Sequence, residues 1–456
     1  MGSQKRIFLK KSRIAYDLEH RKTINHNVSQ YDSAFKKGKL RYSDLELAKE
    51  RASFIKDKAL QNLPAYLEEF EKNITARGAE VVWARNAAEA LQQITNIVTE
   101  SDARVIVKSK SMISEEIELN KQIEKIGAEP VETDLGEFIV QVAGEKPYHI
   151  LTPAMHKSKQ DVARLFHEKF DTPEDADAKE LTGFVRGILR KKFTAAQVGV
   201  TGANFLVADV GGIALTENEG NGLMSVSFPR IHIVIAGIEK VLPSIMDLPL
   251  FLPLLATMGT GQQVTTYNSL LLGPRRDSES SGPEKMVVIL LDNGRSAIYR
   301  EETHREALKC IRCGACLNVC PIYKNIGGYT YNTEYTGPIG SVISPFMKGF
   351  REFGHLSFAS SGCGRCSEVC PVKIPLNDLL LLNRKKMVES NLDSRFWSIM
   401  MKGYKYTVKK RRRLDYVNGN IKNAVLNSGI KLLGKNKKNP QFAETSFSRQ
   451  WKKINS

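Results

Sequence analysis

The chain has 456 residues, of which 42% are hydrophobic, and carries a formal net charge of +17. A chain of this size buries one large core and still carries smaller appendages, so we expect two or three domains. Residues 384–456 hold a surplus of 15 positive charges. Charge so localised, with no base-reading motif beside it, argues against a nucleic-acid-binding protein.

The first third of the chain alternates between helical and strand patterns. Ser43 and Glu46 have the spacing of a capping box, which predicts the start of a helix there. A second helix is expected from Pro64 to Gly78. The pattern then predicts strands at 80–84, 104–108 and near 131, with helices at 87–100 and 115–126. Alternation of this kind is typical of a parallel sheet covered by helices.

Short apolar runs continue the pattern after a polar, helical stretch at 157–192. They predict strands at 199–207, 212–215, 231–235, 264–272 and 286–291, and an α/β domain that ends near Tyr299. The apolar stretch at 241–258 contains Asp247 and three prolines, which exclude a continuous membrane helix. We interpret this stretch as buried or loop-rich protein interior.

Glycine-rich turns in this domain give only weak binding motifs. Gly259 and Gly261 begin like a dinucleotide fingerprint, but Val264 stands where the third glycine is required. Asp209 and Glu219 lie beside glycines, so they are candidates for a pocket at strand ends. Tight turns without a ligand are the simpler interpretation. No ligand role is predicted for the isolated His149, His156 and His232.

All seven cysteines lie between positions 310 and 370, in two runs that each end in Cys-Pro. The first run is Cys310, Cys313, Cys316 and Cys320, and the second is Cys363, Cys366 and Cys370. The first has the C-x2-C-x2-C-x3-C-P spacing of bacterial cubane clusters. Three thiolates must converge on one small cube, and Gly314 and Gly364 are expected to permit the turn.

In two-cluster ferredoxins the last cysteine of each run binds the other cluster. This pattern assigns Cys310, Cys313, Cys316 and Cys370 to a first cluster, and Cys320, Cys363 and Cys366 to a second. The second cluster lacks a fourth thiolate, and Ser360 stands where that ligand would fall. Because a serine hydroxyl is harder and far less acidic than a thiol, we expect this cluster to be labile or altered at one corner.

Two other uses of clustered cysteines fit less well. Structural zinc usually takes two separated cysteine pairs, not four cysteines within eleven residues. Disulfides are disfavoured because residues 1–17 contain Lys and Arg but no apolar signal core. We therefore expect a reducing, cytoplasmic compartment.

Basic residues dominate the C-terminal end, notably at 409–413 and 435–438. A solvated helix face or a docking surface for an acidic partner explains such a tail. The acidic partner is expected to be either an anionic membrane surface or a partner subunit.

Three segments resemble the lactate utilization protein B family, and the resemblance covers almost the whole chain. They are VADVGGIALTENEGN at 207–221, CIRCGACLNVCPIY at 310–323 and SSGCGRCSEVCPVKIP at 360–375. The resemblance implies a LUD domain related in fold to the ribose-5-phosphate isomerase and CoA-transferase group. It also implies a mainly helical, bacterial-ferredoxin-type domain with two [4Fe-4S] clusters held by the seven cysteines. The function that the resemblance implies is that of the iron-sulfur subunit of a three-component bacterial system that oxidises L-lactate. The partners that it implies are a Cys-rich-domain subunit and a smaller LUD-domain subunit.

We therefore expect an α/β protein with a mostly parallel sheet and four regions. These are an N-terminal helical extension (1–60), the LUD domain (61–300), the ferredoxin-type domain (301–390) and the basic C-terminal region (391–456).

Lactate oxidation releases two electrons, whereas cubane clusters accept one electron at a time. No convincing flavin or nicotinamide motif is visible. We therefore predict an electron-transfer component that relays electrons to a downstream acceptor, not a self-sufficient enzyme. The alternative is that the LUD domain is itself catalytic, with Glu219 or Asp209 as nucleophile or base.

Overall fold

The structure, a computed structural model, describes residues 2–392, 395–431 and 441–455. The chain divides into two compact units, Met1–Lys386 and Met387–Ser456. The first unit opens with four helices: α1 (Ser3–Lys11), α2 (Leu18–Lys39), α3 (Leu45–Gln61) and α4 (Leu63–Thr75). The predicted N-cap at Ser43 is wrong by one residue. Asp44 is the N-cap of α3, and its carboxylate accepts a hydrogen bond from the Leu47 amide.

The α/β region follows with ten strands and nine helices. In chain order these are β1 (Glu80–Ala84), α5 (Ala87–Glu100), β2 (Val105–Lys108), α6 (Met112–Glu116), α7 (Leu119–Lys125), β3 (Glu129–Glu132), α8 (Leu135–Val142), α9 (Lys159–Phe170), α10 (Ala178–Ala195), β4 (Val198–Thr201), β5 (Phe205–Val207), β6 (Gly212–Glu217), α11 (Asn221–Ser227), β7 (Ile231–Gly237), β8 (Val241–Leu242), α12 (Leu248–Thr260), β9 (Tyr267–Leu271), β10 (Lys285–Leu291) and α13 (Arg295–Arg300).

Six of these strands form an all-parallel sheet in the order β1-β10-β7-β4-β2-β3. The predicted α/β class with a parallel sheet is confirmed. Because all six strands run the same way, β2, β4 and β7 present their carboxyl ends, Lys108, Thr201 and Gly237, at one edge. The candidate site lies at this edge.

A second sheet of mixed direction, in the order β8-β5-β6-β9, was not predicted. The run at 199–207 contributes one strand to each sheet, since β4 ends at Thr201 and β5 begins at Phe205. The helix expected at 115–126 is broken at Glu118, whose φ is +53°. The apolar stretch at 241–258 is mainly the buried helix α12, with Pro253 inside it, and is not loop-rich.

The cysteine region is mainly helical, as expected. Its helices are α14 (Ala315–Asn318), α15 (Pro321–Ile326), α16 (Gly337–Lys348), α17 (Phe350–Phe353), α18 (Arg365–Glu368) and α19 (Leu376–Glu389). This region and the second sheet share one hydrophobic core, in which Phe251 and Leu254 of α12 lie in the same cluster as Ile311 and Leu317. The cysteine loops are therefore anchored on the α/β region by continuous apolar packing.

The second unit contains α20 (Arg395–Val408), α21 (Arg411–Tyr416), α22 (Gly419–Lys431) and α23 (Phe447–Ile454). The basic run at 435–438 lies outside the described residues. Within the described parts of the chain, the structure has no helix of the length and apolarity that a membrane crossing requires.

Candidate functional site

The two cysteine loops share one backbone conformation. Gly314 and Gly364 have φ angles of +76° and +78°, and each precedes a four-residue helix, α14 or α18. A side chain is strained at such φ values, which explains glycine at both positions. The turns expected at these two glycines are confirmed.

The electrostatic influence of the thiols on one another divides them into two groups. Burial raises the pKa of Cys313 and Cys316, and the neighbouring thiols of Cys310 and Cys370 raise it further. Burial also raises the pKa of Cys370 to about 11, and the thiol of Cys310 adds to this shift. We call Cys310, Cys313, Cys316 and Cys370 the first thiol group.

The second thiol group is Cys320, Cys363 and Cys366. Burial raises the pKa of Cys366 to about 11, and Cys320 and Cys363 contribute to the same shift. Cys363 in turn raises the pKa of the buried Cys320. Each group thus combines cysteines from both runs.

Backbone amides point at the sulfur atoms. The Ile374 amide donates to Cys370 Sγ at 3.3 Å, the Arg312 amide to Cys310 Sγ at 3.4 Å and the Tyr323 amide to Cys320 Sγ at 3.5 Å. Such donors stabilise a thiolate over a thiol. All seven cysteines are free of disulfides.

The second group is open at one side. Cys363 is exposed, whereas Cys320 and Cys366 are buried. A hydrogen bond from the Arg365 amide lowers the pKa of Cys363. Ser360 is half-buried, and its Oγ accepts a hydrogen bond from the Gly362 amide at 3.1 Å. The serine oxygen therefore supports the loop that presents Cys363.

A buried ion network links the first cysteine loop to the sheet. Arg295 donates from Nη1 and Nη2 to the two carboxylate oxygens of Glu116, both at 2.9 Å, and from Nε to Glu239 at 2.6 Å. The other oxygen of Glu239 faces Arg312 Nη2 at 3.4 Å. Burial alone would raise the pKa of Glu239, but these two cations lower it to about 2, and Arg295 contributes more than Arg312.

A cavity of about 350 Å³ lies at the carboxyl ends of β2, β4 and β7. Its lining includes the cations Lys110, Lys240 and Arg312 and the carboxylates Glu217 and Glu219. Burial and the nearby Arg312 lower the pKa of Lys240 to about 8. The cavity is therefore a partly desolvated, charged site between the sheet and the first cysteine run.

The two candidate carboxylates lie in different places. Glu219 lines the cavity, and its charge helps to raise the pKa of Lys110. Asp209 is absent from the cavity lining. Its carboxylate instead accepts hydrogen bonds from Ser244 Oγ at 2.6 Å and from the Ile245 amide at 3.0 Å. These contacts give Asp209 a role in holding a turn.

Other titratable clusters have structural partners. Glu115, Glu132 and Glu137 are close enough to hold a metal ion. The ammonium of Lys108 already lies between two of them, at 2.8 Å from Glu115 and 2.6 Å from Glu132. His156 contacts Glu145 at 2.7 Å, His232 contacts Thr201 at 2.8 Å, and His149 Nδ1 accepts from the Leu151 amide at 3.1 Å.

Sequence reasoning missed Lys110, Lys240 and Arg312. Arg312 stands inside the C-x2-C motif, where a cation between two cysteines was a visible signal. Lys110 and Lys240 carry no local signal, since only the tertiary fold brings 110, 240 and 312 to one cavity.

Comparisons with known proteins agree with the two regions. Residues 67–291 match the family model of the LUD domain, and residues 306–374 match that of the 4Fe-4S dicluster domain. Lactate utilization protein B of Bacillus subtilis strain 168 is 41% identical over 384 residues, covering 80% of this chain and 80% of the relative. That of Bacillus velezensis is 43% identical over 339 residues, covering 74% and 71%.

The chain belongs to the lactate utilization protein B family. The resemblance drawn from the motif residues is therefore confirmed. A crystal structure of a DUF162 family protein from Deinococcus radiodurans is also similar, with 13% identity, a TM-score of 0.27, and coverage of 50% of this chain and 98% of that one.

The donor set fits the iron-sulfur domain that the family carries. Seven free thiols are held in two groups, and amide donors are directed at sulfur in both groups. The raised pKa values of the buried thiols mean that metal binding displaces protons.

Proposed function

We propose that this chain is an iron-sulfur electron-transfer subunit in the oxidation of L-lactate to pyruvate, a reaction that allows growth on lactate. The single observation that carries the proposal is the pairing of thiols across the two runs. In each thiol group a cysteine of one run influences the pKa of a cysteine of the other run, and two-cluster ferredoxins likewise share ligands between their runs. Membership of a family named for lactate utilization supports the choice of substrate.

The ligand assignment is part of the proposal. Cys310, Cys313, Cys316 and Cys370 hold the first [4Fe-4S] cluster, and Cys320, Cys363 and Cys366 hold the second. Bound clusters of this kind take up and release single electrons. The protein supplies the thiolates, the amide donors to sulfur and the apolar shell, which together set the reduction potential.

The two groups differ in their exposure, and this difference gives each a role. The first group, in which only Cys310 is half-buried and the other three cysteines are buried, adjoins the charged cavity through Arg312. The second group reaches the surface at Cys363. A partner that docks on this loop approaches the second group closely, so we assign it to exchange with the downstream acceptor.

The proposed partners are a Cys-rich-domain subunit and a smaller LUD-domain subunit of a lactate oxidation system, and an electron acceptor. Nucleic acid is not among them. We place the protein in the cytoplasm, with peripheral contact to an anionic membrane through the basic C-terminal region. The support for this contact is a tail that combines exposed aromatic side chains with the excess of Lys and Arg.

A second candidate function is that the LUD domain is itself catalytic. The observation that favours it is Glu219 in the wall of the cavity, near Lys110. Asp209 loses this role because its carboxylate is engaged at a turn. Glu219→Gln in the reconstituted complex decides the question, since unchanged lactate oxidation with full iron content rules the catalytic role out.

The test of the main proposal uses the full chain purified without oxygen. We expect non-haem iron, acid-labile sulfide and a dithionite-reducible paramagnetic signal. The isolated chain should not reduce a dye with L-lactate, whereas the chain together with the two partner subunits should reduce it. Negligible iron and sulfide, or substantial turnover by the isolated chain, contradicts the proposal.

A further inference from the structure

The cavity at the edge of the parallel sheet has the position of a ligand site. In open parallel sheets, ligands bind outside the carboxyl ends of the strands. Here β2, β4 and β7 end at the cavity, and the small residues Gly202, Ala203 and Gly237 are part of its lining. At about 350 Å³ it lies within the range of small-molecule sites.

Lys240 is a cation without a partner in this cavity. It follows β7 at the end of a short 3-10 helix, Ile238–Lys240. In the described part of the chain, no hydrogen bond or ion pair reaches its ammonium group. Its neighbour Glu239 is engaged by Arg295 and Arg312 instead. A half-buried ammonium with all three donors open is a receptor for an anion.

Arg312 offers a second set of open donors. Its Nη1 is buried and has no hydrogen-bond partner, while Nη2 makes one long contact, at 3.4 Å, to Glu239. The guanidinium lies 4.3 Å from the centre of the Tyr335 ring, which holds it in place. A buried donor left unsatisfied destabilises the protein, and an acceptor brought by a ligand removes that cost.

Other groups in the lining suit the rest of a small acid. Lys110 donates to the Leu151 carbonyl at 2.8 Å and lies 3.5 Å from the Asp134 carboxylate, which leaves one of its three donors open. Thr216, Thr260 and Glu219 also line the cavity, and the two threonine hydroxyls already donate to other groups of the protein. This mixture of donors and acceptors suits a hydroxyl or keto group next to a carboxylate.

We propose that this cavity binds a small organic acid with a hydroxyl or keto group beside its carboxylate, and that Lys240 and Arg312 receive the carboxylate. The choice of acid, L-lactate or pyruvate, rests on the function proposed above. The site itself rests on the cavity and its open cations. Binding here places the acid beside the first cysteine run, because Ile311 and Arg312 belong to both.

The competing explanation is that both cations only balance the charge of the first thiol group. Cys310 is an electrostatic neighbour of Lys240 and of Arg312. The two explanations differ in what a Lys240 variant loses. Under our proposal it loses affinity for a carboxylate, whereas under charge balance it changes only the reduction potential of the first cluster.

The experiment is calorimetric titration of the full, iron-loaded chain with L-lactate, pyruvate and lactamide under nitrogen. Lactamide has the shape of lactate without the negative charge. We expect both acids to bind and lactamide to bind at least about tenfold more weakly, since a charged hydrogen bond is worth about 1.5–3 kcal/mol. Lys240→Met should weaken L-lactate binding by a similar factor, with unchanged iron content. Lys125→Met, on the exposed end of α7, is the matched control and should bind as the wild type.

Three results overturn the inference: no binding of either acid, equal binding of lactamide, or wild-type affinity in Lys240→Met with a shifted midpoint potential. These failures are distinct from failure of the proposed function. A chain that relays electrons but binds neither acid refutes only this inference. A chain without iron that still binds the acids refutes only the electron-transfer role.

Discussion

Arg312 stands between two cysteines of the first run, and its Nη2 lies 3.4 Å from Oε1 of Glu239 in the α/β region. Glu239 is also bound by Arg295, so one buried carboxylate lies between two guanidinium groups. The cysteine loop is thus joined to the sheet by charge as well as by apolar packing. A buried charge of this kind is strongly stabilised by its partners and strongly destabilising when it loses them.

Glu239→Gln should therefore destabilise the protein substantially. The substitution leaves Arg295 and Arg312 buried with less compensation, and breaking such a network costs about 3–5 kcal/mol. The measurement is the melting temperature of the iron-loaded protein at neutral pH. The control is Glu284→Gln, which removes exposed pairs with Arg230 and Arg275 and should cost at most about 1 kcal/mol. Equal losses in the two variants would sink the argument.

The crosswise ligand assignment predicts which cysteine variants resemble each other. Cys370→Ser should alter the same paramagnetic signal as Cys313→Ser, although Cys370 lies in the second run. Cys320→Ser should share its effect with Cys366→Ser. Electron paramagnetic resonance and iron content of dithionite-reduced variants measure this. If Cys370→Ser instead behaves like Cys366→Ser, each run holds its own cluster and the assignment is wrong.

Local patterns predicted the elements well where local forces decide them. The bounds of β1 and α5 are those expected, because periodicity and an Asn86 cap define them. The run at 199–207 misled us, since apolar content does not reveal that a chain passes from one sheet to another. The cavity was harder still to predict from the sequence. Lys110, Lys240 and Arg312 are far apart in sequence and meet only through the parallel sheet and the cysteine loop.

Ser360→Cys tests whether the second cluster is limited by its missing thiolate. A thiol at this position supplies the fourth soft ligand that iron prefers. We expect the second cluster of this variant to lose iron in air more slowly than that of the wild type. The bleaching of visible absorbance measures this loss. Ser361→Cys adds a thiol one residue away and is the control. Equal protection by both variants indicates a non-specific effect of an added thiol.

His232 predicts an acid-dependent loss of stability. It is fully buried in β7, where burial lowers its pKa to about 3. The unfolded chain has the ordinary value of about 6.5, so only the unfolded state gains this proton on mild acidification. The contribution of neutral His232 to the free energy of unfolding is therefore intact above about pH 7, and it declines as the pH falls through 6.5. It amounts to about 1 kcal/mol between pH 7.5 and 5.5.

His232→Gln should consequently reduce the fall in melting temperature between pH 7.5 and pH 5.5, since glutamine gains no proton. Its amide can retain the contact with Thr201, which lies 2.8 Å from Nε2 of the histidine. His26→Gln, at an exposed position of α2, is the control and should keep the wild-type fall. An equal fall in wild type and His232→Gln contradicts the prediction.

The basic C-terminal region ends in a strongly amphipathic helix, α23. Phe447, Trp451 and Ile454 lie on one face of it and are 68%, 56% and 76% exposed. Arg449 and Lys452 fall on the other side. Exposed aromatic residues opposite a basic face are typical of helices that lie on an anionic bilayer surface.

The full chain should therefore bind vesicles of equal parts phosphatidylcholine and phosphatidylglycerol, but not pure phosphatidylcholine. Salt should weaken the binding, because the attraction is electrostatic. Trp451→Ala should weaken it as well, whereas Trp83→Ala, which removes a half-exposed tryptophan from β1, should not. Cosedimentation measures both effects. If neither kind of vesicle binds, the exposed face of α23 is not a membrane surface.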